Sequence, residues 1–349
     1  MNMWDKLFSQ KRMILGLSPM DGVTDVAMRY MTAKYGSVIT SPKFSNSQIR
    51  EQGGVDILFT EFVSVDALHY ASGERRERLL KTLMRARDAG PLESKPYEVA
   101  QVFGSKPEYF AEAAELIEKL GFDGIDINMG CPAHKVEENG SGAGLIRTPE
   151  LAQEIIRTVK LSTKLPVSVK TRIGIDQDIA EEWMTTLMEV EPANISLHGR
   201  TLRQLYQGQA DWEAIGRATE VVHRLGGHIL GNGDVTSVQQ AADYVAQYGV
   251  DGVLIGRAAE GNPGIYKSQI LNPPILKLEP AKEQRFAWMV EHAQIFERIF
   301  GKDKSFMPMR KHLAWYCKGF PHAVELRTKL MQTNSSQEVE KILDQFIIL

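Results

Sequence analysis

The stretch GIDINMGCPA, residues 124–133, joins a short β-rich run, GIDINM, to a tight loop that holds Gly130, Cys131 and Pro132. Seven more β-rich runs occur along the chain: ILGLS (14–18), ILFTEF (57–62), YEVAQVF (97–103), PVSVKT (166–171), NISLHG (194–199), HILGNG (228–233) and GVLIGR (252–257). Most of these runs are nearly continuous in apolar residues, which is typical of parallel strands that are buried on both faces.

Amphipathic stretches separate these runs. One begins at Pro107 and ends before Gly121, and another opens with Thr148 as a cap followed by Pro149 and Glu150. Further helical stretches cover 178–189, 212–225 and 237–247. Eight strand–helix repeats favour a closed (β/α)₈ barrel, the TIM barrel, over an open doubly wound sheet.

The pattern changes after Pro273-Pro274, where strand-like runs stop. Four helical stretches follow, at roughly 281–300, 306–316, 321–332 and 336–347. We therefore predict an α/β TIM barrel over residues 1–272 and a small all-helical domain over residues 273–349. Two connecting segments are longer than ordinary loops, 37–56 and 73–95, and the charged second one is predicted to be partly helical.

The bulk composition is that of an ordinary globular protein. A length of 349 residues suits a barrel of about 250 residues with a smaller appendage. The net charge is −3, so any affinity for RNA needs a local basic patch. With two cysteines, and without an apolar run long enough for a signal peptide or a membrane span, the chain is expected to be cytoplasmic.

Polar side chains end five of the predicted strands: Asn128, Lys170, His198, Asn232 and Arg257. Barrel enzymes place their active sites at these carboxyl ends. Loops are polar in any protein, so each residue alone could be an ordinary loop residue. Five distinct hydrogen-bonding groups at five strand ends favour a site.

The last two predicted strands carry a phosphate-binding pattern. Gly231-Asn232-Gly233-Asp234 follows the seventh run, and Gly256-Arg257 follows the eighth. Barrels often bind phosphate here, because glycine lets backbone N–H groups approach the anion and arginine pairs with it. Ordinary turn glycines are the alternative, and the geometry suits many phosphorylated ligands, flavin mononucleotide (FMN) among them.

Two side chains suit a flavin ring. Lys170 ends the fifth run, and a cation there would stabilise an anionic reduced flavin. Gln101, near the end of the third run, offers a donor and an acceptor to the amide edge of the ring. A solvated lysine at a strand end is the alternative for Lys170.

Cys131 is the candidate reactive residue. It follows the fourth run between Gly130 and Pro132, on the face expected to hold the site. Reduction of an enone-like C=C bond needs a hydride at one carbon and a proton at the next, and a thiol can supply that proton. A buried structural cysteine is the alternative, and this is our interpretation of Cys317 in the helical stretch AWYCKG.

Seven segments, in order, resemble the tRNA-dihydrouridine synthase family, nearest its bacterial B-type members, over roughly residues 14–266. They are SPMDGVTD (18–25), AQVFG (100–104), DINMGCPA (126–133), KTRIG (170–174), HGRT (198–201), NGD (232–234) and GRA (256–258). The later MRKHLAWY (309–316) is similar to the family's helical domain.

The resemblance implies that FMN, reduced by NADPH, reduces C5=C6 of uridine in tRNA to 5,6-dihydrouridine, with Cys131 as proton donor. It places Asn128 and Arg172 beside the uracil. The implied cofactor contacts are Pro19, Met20 and Asp21, then Gln101, Lys170 and His198 at the ring, and Asn232, Gly233, Asp234, Gly256 and Arg257 at the phosphate. The chain departs from the family at Asp21, where a small residue is usual, and in the long 37–56 segment.

A tRNA substrate would need a cationic surface. Candidates are Arg200 after the sixth run and Arg310 and Lys311 in the helical region, the latter two because the family pattern includes them. Further basic residues of that region are Lys302, Lys304, Lys318, Arg327 and Lys329. Charged helix residues are often merely solvated, which is the alternative for each.

Two other functions remain open from the sequence. One is a flavin barrel acting on a small pyrimidine, similar to a dihydroorotate dehydrogenase. The other is an RNA-binding protein that has lost catalysis. The basic helical region argues against the first, and intact Cys131, Lys170 and phosphate loops argue against the second. The sequence suggests neither a bound metal nor a protein partner.

Overall fold

A computed structural model of the protein describes residues 1–37, 54–267 and 280–347. Nine strands lie in one parallel sheet, and their burial on both faces explains their apolar sequences. They are β1 (Ile14–Leu17), β2 (Ile57–Phe59), β3 (Val63–Ser64), β4 (Tyr97–Phe103), β5 (Gly124–Met129), β6 (Val167–Arg172), β7 (Asn194–His198), β8 (Ile229–Asn232) and β9 (Gly252–Ile255).

The sheet closes into a barrel. The strand order is β2-β1-β9-β8-β7-β6-β5-β4-β3, and β2 also pairs with β4, which joins the two ends. Each of the eight predicted runs contributes a strand, and the run at 57–62 forms β2 and leads into the short β3. Thr60, between β2 and β3, is bonded to β4: its N–H donates to Val99 O at 3.1 Å and its Oγ1 accepts from Gln101 N at 2.9 Å. The predicted TIM barrel is confirmed.

Helices lie around the outside of the barrel and across the end where its strands begin. They are α1 (Met3–Phe8), α2 (Val26–Gly36), α3 (Val65–Tyr70), α4 (Gly73–Thr82), α5 (Ala86–Ala89), α6 (Pro107–Lys119), α7 (His134–Glu138), α8 (Pro149–Ser162), α9 (Ala180–Met188), α10 (Trp212–Arg224) and α11 (Val238–Tyr248). Short 3₁₀ turns occur at Gly142–Arg147 and Arg257–Ala259. The Thr148 cap predicted for α8 is wrong: the side chain of Thr148 makes no capping hydrogen bond, and Pro149 alone marks the start of the helix.

The amino-terminal helix α1 closes the end of the barrel where the strands begin. Trp4 is 1% exposed and packs with Met3 and Leu7 against apolar side chains of the strands, including Phe59 and Leu230. This plug leaves the opposite end, where the strands finish, as the open mouth of the barrel.

Four helices follow the barrel: α12 (Lys282–Phe300), α13 (Met307–Tyr316), α14 (Ala323–Leu330) and α15 (Ser336–Ile347). They dock beside the barrel through ion pairs from Lys34 to Glu291 at 2.6 Å and from Lys81 to Asp303. The all-helical C-terminal region is as predicted, whereas the boundary at 272/273 and most of the 37–56 segment lie outside the described residues. Across those described ranges, none of the helices combines the length and apolarity that crossing a membrane requires.

Candidate active site

A cavity of about 1050 Å³ opens at the carboxyl ends of the strands. Its volume is at the upper end of the range for small-molecule and cofactor sites. Most of the residues predicted for the site line it: Pro19, Met20, Asp21, Asn128, Cys131, Lys170, Arg172, His198, Asn232, Gly233, Asp234, Gly256 and Arg257. Residues far apart in sequence meet here because every strand of a parallel barrel ends at the same face.

The loop after β5 is held by Asn128, the penultimate residue of that strand. Asn128 Oδ1 accepts the N–H groups of Gly130 at 3.0 Å and Cys131 at 2.8 Å. Arg172 Nε donates to Gly130 O at 2.7 Å, and Arg172 Nη1 donates to Thr201 O at 3.0 Å. Arg172 thus ties the loop after β5 to the loop after β7, and the Cys131 backbone is held from two sides.

The Cys131 thiol lies in the cavity wall with 7% of the residue exposed. Burial raises the pKa of this thiol, and the neighbouring Asp21 carboxylate adds to the rise. The Ala133 N–H, Arg172 and Lys170 oppose this effect without overcoming it. The thiol therefore keeps its proton at neutral pH, which is the state that a proton donor needs.

Lys170 is a partly buried cation that lines the cavity. Its Nζ donates to Asn232 Oδ1 at 3.0 Å, and Asn232 Nδ2 donates to Leu254 O at 2.9 Å, which fixes the acceptor toward the lysine. Burial, and then repulsion from Arg172, lower the pKa of Lys170 to about 8. Within the described part of the chain, no carboxylate forms a salt bridge with it. Such a cation is suited to an anionic ligand.

His198 is neutral. Burial lowers its pKa well below the ordinary value, and the positive charges of Lys170, Arg172 and Arg200 lower it further. Its Nε2 lies 3.3 Å from Arg200 Nη1. A neutral ring that lines a cavity can donate or accept one hydrogen bond without adding charge.

The loops after β8 and β9 are shaped by backbone geometry and one carboxylate. Gly233 has φ +132°, and a Cβ there would lie 2.5 Å from the Ala210 Cβ, so only glycine fits. Asp234 accepts from Arg200 Nη2 at 2.6 Å and from Arg257 Nη2 at 2.7 Å. It thereby orients Arg257, whose side chain is 57% exposed at the cavity and retains donors for an anion.

Two predicted residues lie behind the cavity wall. Gln101 is fully buried, and its amide is used by Asp126 at 2.7 Å and Asn128 at 2.9 Å. Arg200 is 2% exposed, and its guanidinium contacts Gln207 O, Gly208 O and Asp234. This burial argues against direct contact of Arg200 with RNA, and neither residue lines the cavity.

The two residues predicted on α13 differ from each other. The Arg310 guanidinium donates hydrogen bonds to Thr333 O at 2.8 Å and to Asn334 Oδ1 at 2.7 Å. The Nζ of Lys311 lies instead beside Gly22, 2.8 Å from where a Cβ would stand. Gly22 directly follows Asp21 of the cavity lining, so Lys311 is the member of the pair that faces the region of the mouth.

Several lining residues were not predicted as site residues, among them Phe62 and Glu260. Phe62 continued an apolar run and looked like core, and its position after β2 was the available signal. Glu260 lies three residues beyond Arg257, inside a loop already assigned to phosphate. Tyr206 also lines the cavity, 63% exposed, with the Arg257 guanidinium carbon 5.7 Å from its ring centre.

A closed parallel barrel with a thiol, a lysine and two glycine loops around one cavity has the architecture of a barrel enzyme. The chain belongs to the dihydrouridine synthase (Dus) family, whose model matches residues 16–348. The predicted family and enzyme class, an oxidoreductase, are therefore confirmed. In the parts of the chain that the structure describes, no group of three or more His, Cys, Asp or Glu could hold a metal ion.

Curated relatives from bacteria match nearly the whole chain. The probable tRNA-dihydrouridine synthase 1 of Synechocystis sp. is 33% identical, over 95% of this chain and 85% of its own length. The probable tRNA-dihydrouridine synthase 2 of Bacillus subtilis is 32% identical, over 99% and 96%. A probable tRNA-dihydrouridine synthase of Staphylococcus aureus is 31% identical, over 99% and 95%.

Among solved structures, morphinone reductase in complex with tetrahydroNAD is similar at a TM-score of 0.48 and 12% identity, over 78% of this chain and 89% of that one. A point mutant of the same reductase, in complex with the same ligand, is similar at a TM-score of 0.49 and 12% identity, over 78% and 90%. A likeness this weak says nothing about the chemistry of the chain.

Proposed function

We propose that this protein reduces the C5=C6 bond of uridine in tRNA to 5,6-dihydrouridine, with FMN as cofactor, NADPH as reductant and Cys131 as proton donor. The observation that carries the proposal is the Cys131 thiol, buried and protonated in the wall of the same cavity as Lys170. Membership of the dihydrouridine synthase family and the printed names of the relatives support the substrate. An enzyme of tRNA would act in the cytoplasm.

The residues at the cavity fit an FMN molecule. Gly233 lines the cavity in a backbone conformation that needs glycine, so a phosphate could approach its backbone, and Arg257 retains donors beside it. Lys170, a partly buried cation without a carboxylate partner among the described residues, would lie near the ring, where it favours negative charge. When bound, FMN reduced by NADPH would supply a hydride to the uracil ring.

The chain's own part in the reaction is to deliver the proton. Cys131 would donate its proton to the carbon next to the one that receives the hydride, and the thiolate would be reprotonated from solvent before the next turnover. Asn128 and Arg172 hold the loop that carries the thiol. Asn128 also lines the cavity, so it could contact the uracil.

A uridine within tRNA must leave its base stack to reach this cavity. Tyr206 stands at the cavity with an exposed ring, which suits stacking on a base. Lys311, on the helical region, would neutralise a phosphate near the mouth. The protein thus has candidate contacts for both the base and the backbone of an RNA.

The function is tested with purified protein and an unmodified tRNA transcript. The absorption spectrum should show bound FMN, and mass spectrometry should find dihydrouridine after incubation with NADPH. Free uridine and orotate are assayed in parallel. Turnover of either as fast as the transcript would favour the small-pyrimidine enzyme, and a protein that binds the transcript without FMN would favour an RNA-binding protein without catalysis.

A further inference from the structure

Asp126 lies in a buried polar chain beneath the Cys131 loop. It is fully buried, accepts from Ser168 Oγ at 2.6 Å and accepts from Gln101 Nε2 at 2.7 Å. Neither Asp126 nor Gln101 lines the cavity. A buried carboxylate inside a barrel is costly, so its place in the structure calls for a role.

The series of hydrogen bonds continues from Gln101 to the loop that carries Cys131. Asn128 Nδ2 donates to Gln101 Oε1 at 2.9 Å. The other end of the same amide, Asn128 Oδ1, accepts the N–H groups of Gly130 and Cys131 at 3.0 and 2.8 Å. Four side chains therefore connect the core of the barrel to the backbone of the thiol-bearing residue.

The direction of these bonds is set by Asp126. An ionised carboxylate only accepts hydrogen bonds, so the Gln101 amide must turn its nitrogen toward Asp126 and its oxygen toward Asn128. Asn128 must then turn its nitrogen toward Gln101 and its oxygen toward the loop. With the amide of Asn128 reversed, its NH₂ group would face two backbone N–H groups, leaving buried donors without acceptors.

We propose that Asp126 is a positioning residue: acting through Gln101, it sets the orientation of the Asn128 amide and so holds Cys131 in place. Its use in proton donation rests on the proposed function, whereas its effect on the thiol can be measured without tRNA. Burial raises the pKa of Asp126 to about 6, opposed by Ser168, Gln101 and the charge of Lys170 on β6. The carboxylate is therefore ionised at neutral pH and above.

The first test compares Asp126→Leu with Asp126→Asn in the purified full chain. Iodoacetamide labelling of each cysteine is followed by peptide mass spectrometry at about pH 8.5, where a thiolate fraction is present. In Asp126→Leu the Cys131 loop loosens, so labelling of Cys131 should rise about tenfold while tRNA reduction falls by a similar factor. Asp126→Asn should change both less, because asparagine keeps an oxygen for Gln101.

Cys317 is the internal control for unfolding. It is also 7% exposed, and it lies at the end of α13, away from this chain of bonds. Its labelling should stay at the wild-type rate in both variants. If Cys317 is labelled faster in Asp126→Leu, that variant has lost its fold and the decision passes to the second pair of variants.

The second test moves the carboxylate of the hydrogen-bonded series from position 126 to position 101. In Gln101→Glu two carboxylates face each other; they can share a proton at about pH 6 but repel at about pH 8.5. Excess labelling of Cys131 over wild type should appear at the higher pH. Adding Asp126→Asn supplies a donor toward the introduced carboxylate, whose second oxygen remains for Asn128. The double variant should return to within about twofold of the wild type at both pH values.

Two results would overturn the proposal. One is wild-type labelling of Cys131 in Asp126→Leu with Cys317 still protected. The other is a double variant in which Cys131 is labelled as fast as in Gln101→Glu alone. That result is expected if Gln101 acts by touching a cofactor directly. If the wild-type protein reduces no tRNA, the proposed function fails, and the labelling pattern still decides the role of Asp126.

Discussion

The two cysteines of this protein have the same exposed fraction, 7%, and opposite surroundings. Cys131 lies in a cavity wall, near the charges of Arg172, Lys170 and Asp21. Cys317 ends α13, its Sγ donates to Leu313 O at 3.4 Å, and burial raises its pKa to about 12, with Arg327 as the opposing charge. Burial alone therefore does not distinguish a reactive thiol from a structural one, whereas the charged neighbours and the space in front of the sulfur do.

The same contrast separates the two regions that hold them. The barrel loop around Cys131 uses backbone and side-chain hydrogen bonds to hold one residue still. The helical region instead buries two neutral histidines, His292 and His312, each with its pKa lowered to about 3 by burial. The barrel region thus holds one side chain still in a cavity wall, whereas the helical region buries its imidazole rings as part of its packing.

The largest expected effect is the loss of uridine reduction in Cys131→Ala. Removal of a positioned proton donor should slow the reaction about a thousandfold, because general acids contribute factors of that order. Dihydrouridine in a tRNA transcript is measured by mass spectrometry, and FMN content and NADPH oxidation should remain. Cys317→Ser is the matched control and should reduce tRNA normally. Normal modification by Cys131→Ala would assign the proton to another group.

The second largest expected effect is a difference between Cys131 and Cys317 in how their labelling by iodoacetamide depends on pH. Burial disfavours the thiolate and raises both pKa values, so each thiol keeps its proton until the pH exceeds its own pKa. Since burial raises the pKa of Cys317 to about 12, and Cys131 lines the cavity, Cys131 should react with iodoacetamide first, several-fold faster at mildly alkaline pH.

For the same reason, the rate of uridine reduction should fall as the pH rises through the pKa of Cys131, since the thiol then lacks its proton. Unfolded protein is the control for the labelling comparison, because the two thiols should be labelled at similar rates once the fold is lost. Faster labelling of Cys317 in the folded protein would contradict the comparison.

Replacement of Lys170 by alanine should slow reduction of the flavin by NADPH, or weaken FMN binding, by about tenfold, because the cation proposed to lie beside the ring is lost. Stopped-flow absorbance and the FMN-to-protein ratio measure the two effects. Lys160→Ala is the control, since Lys160 on α8 bonds only to Val190 O and Glu191 O among the described residues. Unchanged FMN content together with an unchanged rate would refute the role.

The smallest expected effect is in the helical region. Lys311→Ala should weaken tRNA binding a few-fold and reduce the slope of log affinity against log salt concentration by about one. Arg310→Ala should instead cost about 1 kcal/mol of folding stability, because its guanidinium is bonded to Thr333 O and Asn334 Oδ1. Filter binding at several salt concentrations and urea unfolding separate the two. An unaltered salt slope in Lys311→Ala would remove that residue from the RNA surface.

The pattern of apolar residues predicted most of the fold. The eight runs became the barrel strands because a parallel sheet buried on both faces demands nearly continuous apolar residues. Proline at the first turn marked α6 and α8, while the Thr148 cap failed because a suitable side chain must also find the right backbone N–H. A propensity describes one residue, whereas a hydrogen bond depends on two.

By itself, the sequence determined the barrel, the helical region after it, and the placing of Cys131, Lys170 and the glycine loops at the carboxyl ends of strands. Only the tertiary structure decided which polar groups are free to act. Gln101 and Arg200 use their donors on Asp126 and Asp234, partners 25 and 34 residues away in the chain. The physical reason is that strand position is a local property of the sequence, while the partner of a buried polar group is decided by strands and loops that meet only when the barrel closes.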